Sequence, residues 1–415
     1  MLIDYWTFAR THPRFLGFGF FLAFLSSAGQ TYVIGVFGPE IQSEFNLDSG
    51  SWGRIYMTGT LVSAVVINWS GSLIDRIDLR WFTVISLSGL SLACLVMGQV
   101  TTPLILVFAI FLLRQFGQGL TSHTGITSMA RYHDADRGKA IALAAIGFAV
   151  GEAALPVMAL IAIKLWGWRE SFQAVSIVLI ASLGIALWLL KGHSQRHAKY
   201  LKDSRDQSGN LQEPVSYNRK QMLSELRFYL MLPAMIAPSL IMTAMFFFPS
   251  EIARAKGWSA LWVTGNYWVY SITVVIVTIS SGVLIDRFTA RRVVPLFLLP
   301  LALAMIMLTL SNATYMVWPY MLLLGVCSGL YFTGLSALWA ELYGSRHLGA
   351  IKSLTNAVMV FSSALGPALV GTLLSWHISF ESICWLLAGI CLVATALLVV
   401  ALRQCSVQLM PSSSA

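Results

Sequence analysis

A chain of 415 residues with 57% hydrophobic and 11% charged side chains holds less than half of the roughly 25% charge usual in soluble domains, which excludes a water-soluble globular fold. The net charge of +9 would suit a nucleic-acid partner, but the basic residues stand at the ends of apolar segments and form no single patch, so that class is excluded too.

Taken in chain order, apolar runs of about 20 residues or more, the length that crosses a bilayer, predict helices over 14–37, 52–74, 82–100, 103–129, 138–164 and 169–190. A second series covers 226–249, 260–285, 292–311, 313–338, 347–375 and 380–402. In lipid only helices and closed barrels satisfy the backbone, and these runs are too long and evenly apolar for barrel strands. The expected fold is all-α and integral to the membrane, with twelve spans in two six-helix bundles. The first run carries Ser26, Ser27 and Ala28 as a cleavable signal would, but it continues to Phe37 and many spans follow, so it reads as a retained helix. Between the two series lies one long polar, charge-rich stretch. The expected division is therefore an amino-terminal bundle over 1–190, a cytoplasmic linker over 191–225, and a carboxyl-terminal bundle with a short tail over 226–415.

With an inside amino terminus, 21 of the 27 Lys and Arg fall on the cytoplasmic side. Arg54, Lys164, Arg169, Arg254 and Lys256 fall outside, and Arg114 alone lies within a span. That bias places both termini on the cytoplasmic side. The five cysteines show no CxxC spacing, so neither a disulfide frame nor a zinc site is expected.

The two halves repeat. Gly71-Ser-Leu-Ile-Asp75-Arg76-Ile-Asp-Leu-Arg80 returns as Gly282-Val-Leu-Ile-Asp286-Arg287-Phe-Thr-Ala-Arg291, and the same offset relates Gly138 to Gly349 and Pro156 to Pro367. Parallel repeats with a solute site between them are an architecture of secondary transporters. The doubled Gly-x-Leu-x-Asp-Arg-x-x-x-Arg loop resembles the signature of the major facilitator superfamily, and the likeness spans essentially the whole chain. Arg114-Gln-Phe-Gly117-Gln118-Gly119 resembles that family's arginine-then-glycines motif, with Gln118 where the family usually has glycine. The loop over 342–351 is similar to that of bacterial members, including monocarboxylate and oxalate carriers. The resemblance implies alternating access, with helices one, four, seven and ten lining a central cavity. In that picture Asp75 and Asp286 make charge-assisted contacts with the neighbouring Arg76, Arg80, Arg287 and Arg291, Gly71 and Gly282 permit close helix approach, and the loops gate the cycle. The plainer reading is that these arginines only fix topology.

Charges inside a membrane are costly, which singles out Arg114 and Glu152. Counted from the outer ends of helices four and five, both lie about 16 Å deep at 1.5 Å per residue, so the two could form an ion pair. That pair is either a solute-binding and proton-exchanging site or a structural one. Gln30, Tyr32, Ser239, Thr243, Asn266, Tyr270 and Tyr331 are further candidates to hydrogen-bond a solute, against a reading as interhelical bonds. His123 either relays protons or snorkels. Pro156 and Pro367 are expected to bend helices five and eleven at matched places.

The stretch from Gly147 to Pro156 departs from the Gly-Pro-x-x-Gly-Gly pattern of the family's antiport exporters, and helix one has no acid before Glu40. Both points turn the expected solute from a cationic drug towards an organic anion such as a monocarboxylate, moved by exchange or with protons. Efflux of drugs or metabolites and a non-transporting solute sensor remain as alternatives. No phosphate-cradling loop, HExxH or GxSxG pattern occurs, so no enzyme activity, catalytic residue, cofactor or metal is expected. The expected partners are a small solute, possible coupling protons and the bilayer. Nothing in the sequence requires more than one chain.

Overall fold

The computed structural model describes residues 2–133, 136–197, 219–344 and 348–403. Among them every regular element is helical. The chain divides into two compact units, Met1–Leu211 and Gln212–Ala415. Residues 198–218 lie outside those described, so the expected linker over 191–225 is seen only at its ends, and the expected tail beyond 403 is not described either.

In the amino-terminal unit, span one consists of two segments, Pro13–Gly29 and Thr31–Phe45, set 41° apart. Spans two to six are Ser49–Asp75, Leu79–Met97, Pro103–Tyr132, Arg137–Trp166 and Trp168–Leu189. Their starts are written locally. Asp48 accepts from the Ser51 N–H at 2.8 Å, Asp78 from the Arg80 N–H at 2.8 Å, and Thr102 precedes Pro103, whose missing N–H costs nothing in a first turn. Gly167, at φ +91°, turns the chain between spans five and six in a conformation that only glycine adopts cheaply.

The carboxyl-terminal unit has Leu226–Phe247, Ala260–Ile285, Ala290–Leu310, Thr314–Tyr343, Ile351–Ser375 and Phe380–Arg403 as spans seven to twelve. Glu341 in span ten caps span nine, its carboxylate accepting from the Ala290 N–H at 2.6 Å and the Arg291 N–H at 3.3 Å.

The pairing of spans repeats between the units. Span one packs on five, two on four and three on six; seven packs on eleven, eight on ten and nine on twelve. Small residues allow the close approaches. A Cβ on Gly147 would lie 2.2 Å from the Phe20 carbonyl oxygen, and one on Gly366 would lie 2.1 Å from that of Leu240. Spans five and eleven stay helical through Pro156 and Pro367. Span seven contains two further prolines, Pro233 and Pro238. At the end of the amino-terminal unit where span four stops, histidines gather. The His12 and His133 rings lie 5.0 Å apart, His193 is 5.2 Å from Tyr132, and His193 stacks on His197 at 5.9 Å.

Candidate functional site

The sequence predicts an unbroken first helix, and the structure interrupts it. Ser26–Gly29 tighten into a 3-10 turn, Gln30 is extended at φ −88° and ψ 153°, and the helix restarts at Thr31. Span four is irregular at the facing level. It is α-helical over Pro103–Leu113, widens to a π-helical turn over Arg114–Thr121, and is α-helical again over Ser122–Tyr132. Single π turns of this kind are frequent at functional sites. The two irregularities fit each other: a Cβ on Gly29 would sit 2.1 Å from the Leu113 carbonyl oxygen, and one on Gly117 would sit 2.6 Å from Gly29 Cα. Gly117 therefore makes the close approach, while a Cβ on Gly119 would meet the Ile67 side chain at 3.0 Å.

Arg114 occupies this junction and is 2% exposed. Its Nη1 donates to the Gly29 carbonyl at 3.2 Å, an acceptor left over by the break, and to Thr31 Oγ1 at 3.3 Å. The guanidinium lies 5.3 Å from the Tyr56 ring, Thr31 and Tyr56 share a 2.5 Å hydrogen bond, and Arg114 Nε has no partner. Among the described residues these are the contacts of Arg114, and the ion pair with Glu152 that equal depth allows is not one of them. Equal depth does not fix the direction in which a side chain leaves its helix. Glu152 is half-buried and acts electrostatically on Tyr32, whose hydroxyl donates to Ser27 Oγ at 2.7 Å. Gly151 beside it has no room for a Cβ, which would lie 2.1 Å from Ser27 Oγ.

The sequence reading passed over Gln115, which joins spans two and four by accepting from Ser63 Oγ at 3.1 Å and donating to Ser70 Oγ at 2.7 Å. It also passed over Thr31 and Tyr56. Their only signal was a polar group inside an apolar run.

Arg114, Gln30, Tyr32 and Glu152 thus gather around the break in span one. Among the described residues the candidates of the carboxyl-terminal unit do not join into one cluster, and Ser239, Asn266, Tyr270 and Tyr331 make bonds between helices. Asn266 donates to the Trp262 carbonyl at 2.7 Å and accepts from Trp318 Nε1 at 2.8 Å, bracing spans eight and ten. The Tyr270 and Ser328 hydroxyls lie 2.8 Å apart. Tyr331 donates to the Met235 carbonyl at 2.8 Å and lies 3.0 Å from Ser239 Oγ.

The loop motif also departs from expectation. Asp75 pairs with Arg131 of span four, not with Arg76 or Arg80, and Arg131 further donates to the Ile74 carbonyl at 3.1 Å. Arg80 reaches Ser194 Oγ at 3.1 Å. The 3-10 turn over Gly71–Asp75 explains the change, because it turns the acid towards the neighbouring span. Neither motif glycine is a point of tight packing: a Cβ on Gly71 would meet Ile67 at 3.7 Å, and one on Gly282 would meet nothing within 4 Å. In the second copy Arg287 lies over the Phe288 ring at 5.3 Å, and Arg291 reaches the Glu341 carbonyl at 3.5 Å. The side chain of Asp286 lies outside those described.

A doubled loop motif, six spans in each unit and the same pairing of spans in both are what one family predicts, and the sequence pattern of the Major Facilitator Superfamily matches residues 19–282 and 266–411. The chain belongs to the Major Facilitator Superfamily. Among solved structures of such transporters, the nucleoside transporter NupG is similar at a TM-score of 0.70 and 13% identity, covering 94% of this chain and 99% of NupG. A bacterial homologue of the human lysosomal transporter Spinster, captured inward-facing and unoccupied, is similar at 0.69 and 14%, covering 97% and 99%. At such identities the likeness is one of fold. No protein with a curated description matches the sequence. As a member of this superfamily the chain is a multi-pass membrane protein with a transporter's fold, not an enzyme.

Proposed function

We propose that the protein is a secondary transporter that moves a small organic anion, such as a monocarboxylate, across a bacterial cytoplasmic membrane by alternating access, as a monomer with both termini inside. The observation that carries this reading is the environment of Arg114. A buried guanidinium is retained at a cost of several kcal/mol unless it is paired. Here its partners are a carbonyl, a hydroxyl and an aromatic ring, all neutral, and Nε is left over. A carboxylate from a solute would supply both the missing charge and the missing acceptor. Discontinuous helices form the solute sites of many secondary transporters, and the interruption at Gln30 gives span one a point at which to admit the solute. Glu152, within electrostatic reach of Tyr32, is the group we assign to proton coupling.

The test is counterflow in proteoliposomes loaded with mono- and dicarboxylates, amino acids, nucleosides, sugars or cationic drugs. Exchange of carboxylates is expected. It should be lost in Arg114→Gln and kept at reduced affinity in Arg114→Lys, with both variants still folded, while Glu152→Gln should exchange solute without a pH dependence. Exchange of neutral or cationic solutes alone would overturn the anion assignment, and binding without exchange would make the protein a sensor.

A further inference from the structure

We propose that a pocket between spans ten and eleven of the carboxyl-terminal unit is an anion subsite that takes the carboxylate of the transported solute, with Lys352 as its cation. This rests on the organic-anion reading above and adds to it a place in the other unit that does not involve Arg114.

The pocket has a volume of about 230 Å³, below the roughly 300–1,000 Å³ of sites for drug-sized ligands. It suits one small charged group. Tyr331, Ser336 and Trp339 line it from span ten, and Lys352, Thr355 and Asn356 from span eleven. No acidic side chain is among the lining residues, and Lys352 forms no ion pair among the described residues. Its ammonium donates to Ser336 Oγ at 2.5 Å, so that hydroxyl keeps its own hydrogen for another acceptor. Tyr331 and Thr355 have their hydroxyls engaged with the Met235 and Lys352 carbonyls. The remaining capacity, on the ammonium, the Ser336 hydroxyl, the Asn356 amide and the Trp339 indole, consists mostly of donors. A site rich in donors, with a cation and no acid, selects an anion.

Comparison of the halves argues against a lysine that merely snorkels. At the repeat offset Lys352, Thr355, Asn356 and Ser336 correspond to Ile141, Ala144, Ala145 and Gly125. In the amino-terminal unit that place is shut. A Cβ on Gly125 would lie 3.1 Å from the Gly19 carbonyl oxygen, and one on Gly19 would lie 2.9 Å from Ala144 Cβ. Where the amino-terminal unit has a close-packed helix junction, the carboxyl-terminal unit has a cavity lined by polar groups. Lys352 stands near the start of span eleven, at the end that the charge bias assigns to the cytoplasm.

The test is amine-reactive labelling of the full-length protein in nanodiscs of neutral lipid. Modification of Lys352 is quantified by peptide mass spectrometry against the exposed Lys164 and Lys191. Acetate, propionate or succinate at ten times its dissociation constant should slow labelling of Lys352 about tenfold by mass action, leave the reference lysines unchanged, and protect less in Asn356→Ala. Chloride at equal ionic strength should not protect. Protection that appears only when phosphatidylglycerol replaces the neutral lipid keeps the anion site but gives it to a headgroup, overturning the solute assignment. No carboxylate protection beyond that of chloride, with or without anionic lipid, overturns the site. Carboxylate counterflow with Lys352 unprotected would refute this pocket alone, whereas protection without counterflow would refute the transporter reading alone.

Discussion

Gly117→Ala is the substitution that most directly interrogates the junction of spans one and four. The added Cβ would stand 2.6 Å from Gly29 Cα and 2.9 Å from Gly29 N. Both obstacles are backbone atoms, so relief requires the two spans to part. Overpacking of this kind costs about 1–3 kcal/mol, and the gain of up to about 1 kcal/mol from replacing glycine by alanine in a helix offsets only part of it. Gly119→Ala is the internal control. Its nearest obstacle, the Ile67 side-chain terminus at 3.0 Å, can rotate away, and the Arg114 carbonyl oxygen follows at 3.3 Å, so this variant should be perturbed less. Thermal unfolding of both variants in one detergent, followed by intrinsic fluorescence, should place Gly117→Ala below wild type by the equivalent of about 1–2 kcal/mol and Gly119→Ala within about 0.5 kcal/mol of it. If the two variants melt together, Gly29 and Gly117 are not in contact and the account of Arg114 as the group that satisfies the break fails with them.

Further outcomes follow from the same structure. The Asp75 side chain is 64% exposed and that of Arg131 18%, so Asp75→Asn should change stability by less than about 1 kcal/mol yet slow counterflow if the pair gates the cycle; unchanged flux would leave the pair a topological anchor. Asn266→Leu should cost about 1 kcal/mol in thermal unfolding, because it removes the acceptor of Trp318 Nε1 and the donor to the Trp262 carbonyl. Burial, chiefly, and then the charges of His12 and Arg196 lower the pKa of His133 to about 4, Asp136 pulling the other way. His193 is likewise lowered to about 4, by burial against the opposing pull of Asp78, with Arg196, His197 and Arg80 adding to the depression. A histidine whose folded pKa lies below its unfolded value of about 6.5 binds its proton less readily when folded. Stability should therefore be complete above pH 6.5 and decline as the pH falls towards 4. The double variant His133→Gln, His193→Gln should flatten that decline in pH-dependent melting curves, and an unchanged slope would place the acid sensitivity elsewhere.

Long apolar runs, the positive bias of the loops and the repeated motif made the spans and the two-unit architecture legible, because each follows from bilayer thickness or from copying of the chain. Irregularities within spans were not legible. Ser26-Ser27-Ala28-Gly29 contains no proline to announce a break, and the π turn at Arg114 leaves no mark in composition. Pro156 and Pro367, which the sequence marks as points of bending, lie within continuous helices. Depth could be counted along the chain, whereas direction around a helix could not. Depth alone therefore allowed Arg114 and Glu152 to meet, and the structure gives the arginine to Gly29, Thr31 and Tyr56. The cavity beside Lys352 depends on two spans at once and leaves no pattern along the chain.

Both segments of span one pack on span five, but they are anchored differently. The first lies in the groove of span five, where Gly147 and Gly151 admit Phe20 and Ser27, whereas the second ends at Glu44, which pairs with Arg169 and accepts from Trp168 Nε1 at 2.7 Å at the start of span six. A straight rod fixed at both ends would force spans five and six to tilt together. The joint at Gln30 loosens that constraint, and the grip of Arg114 on Gly29 and Thr31, together with the Tyr32–Ser27 hydrogen bond, keeps the two halves of the rod in step.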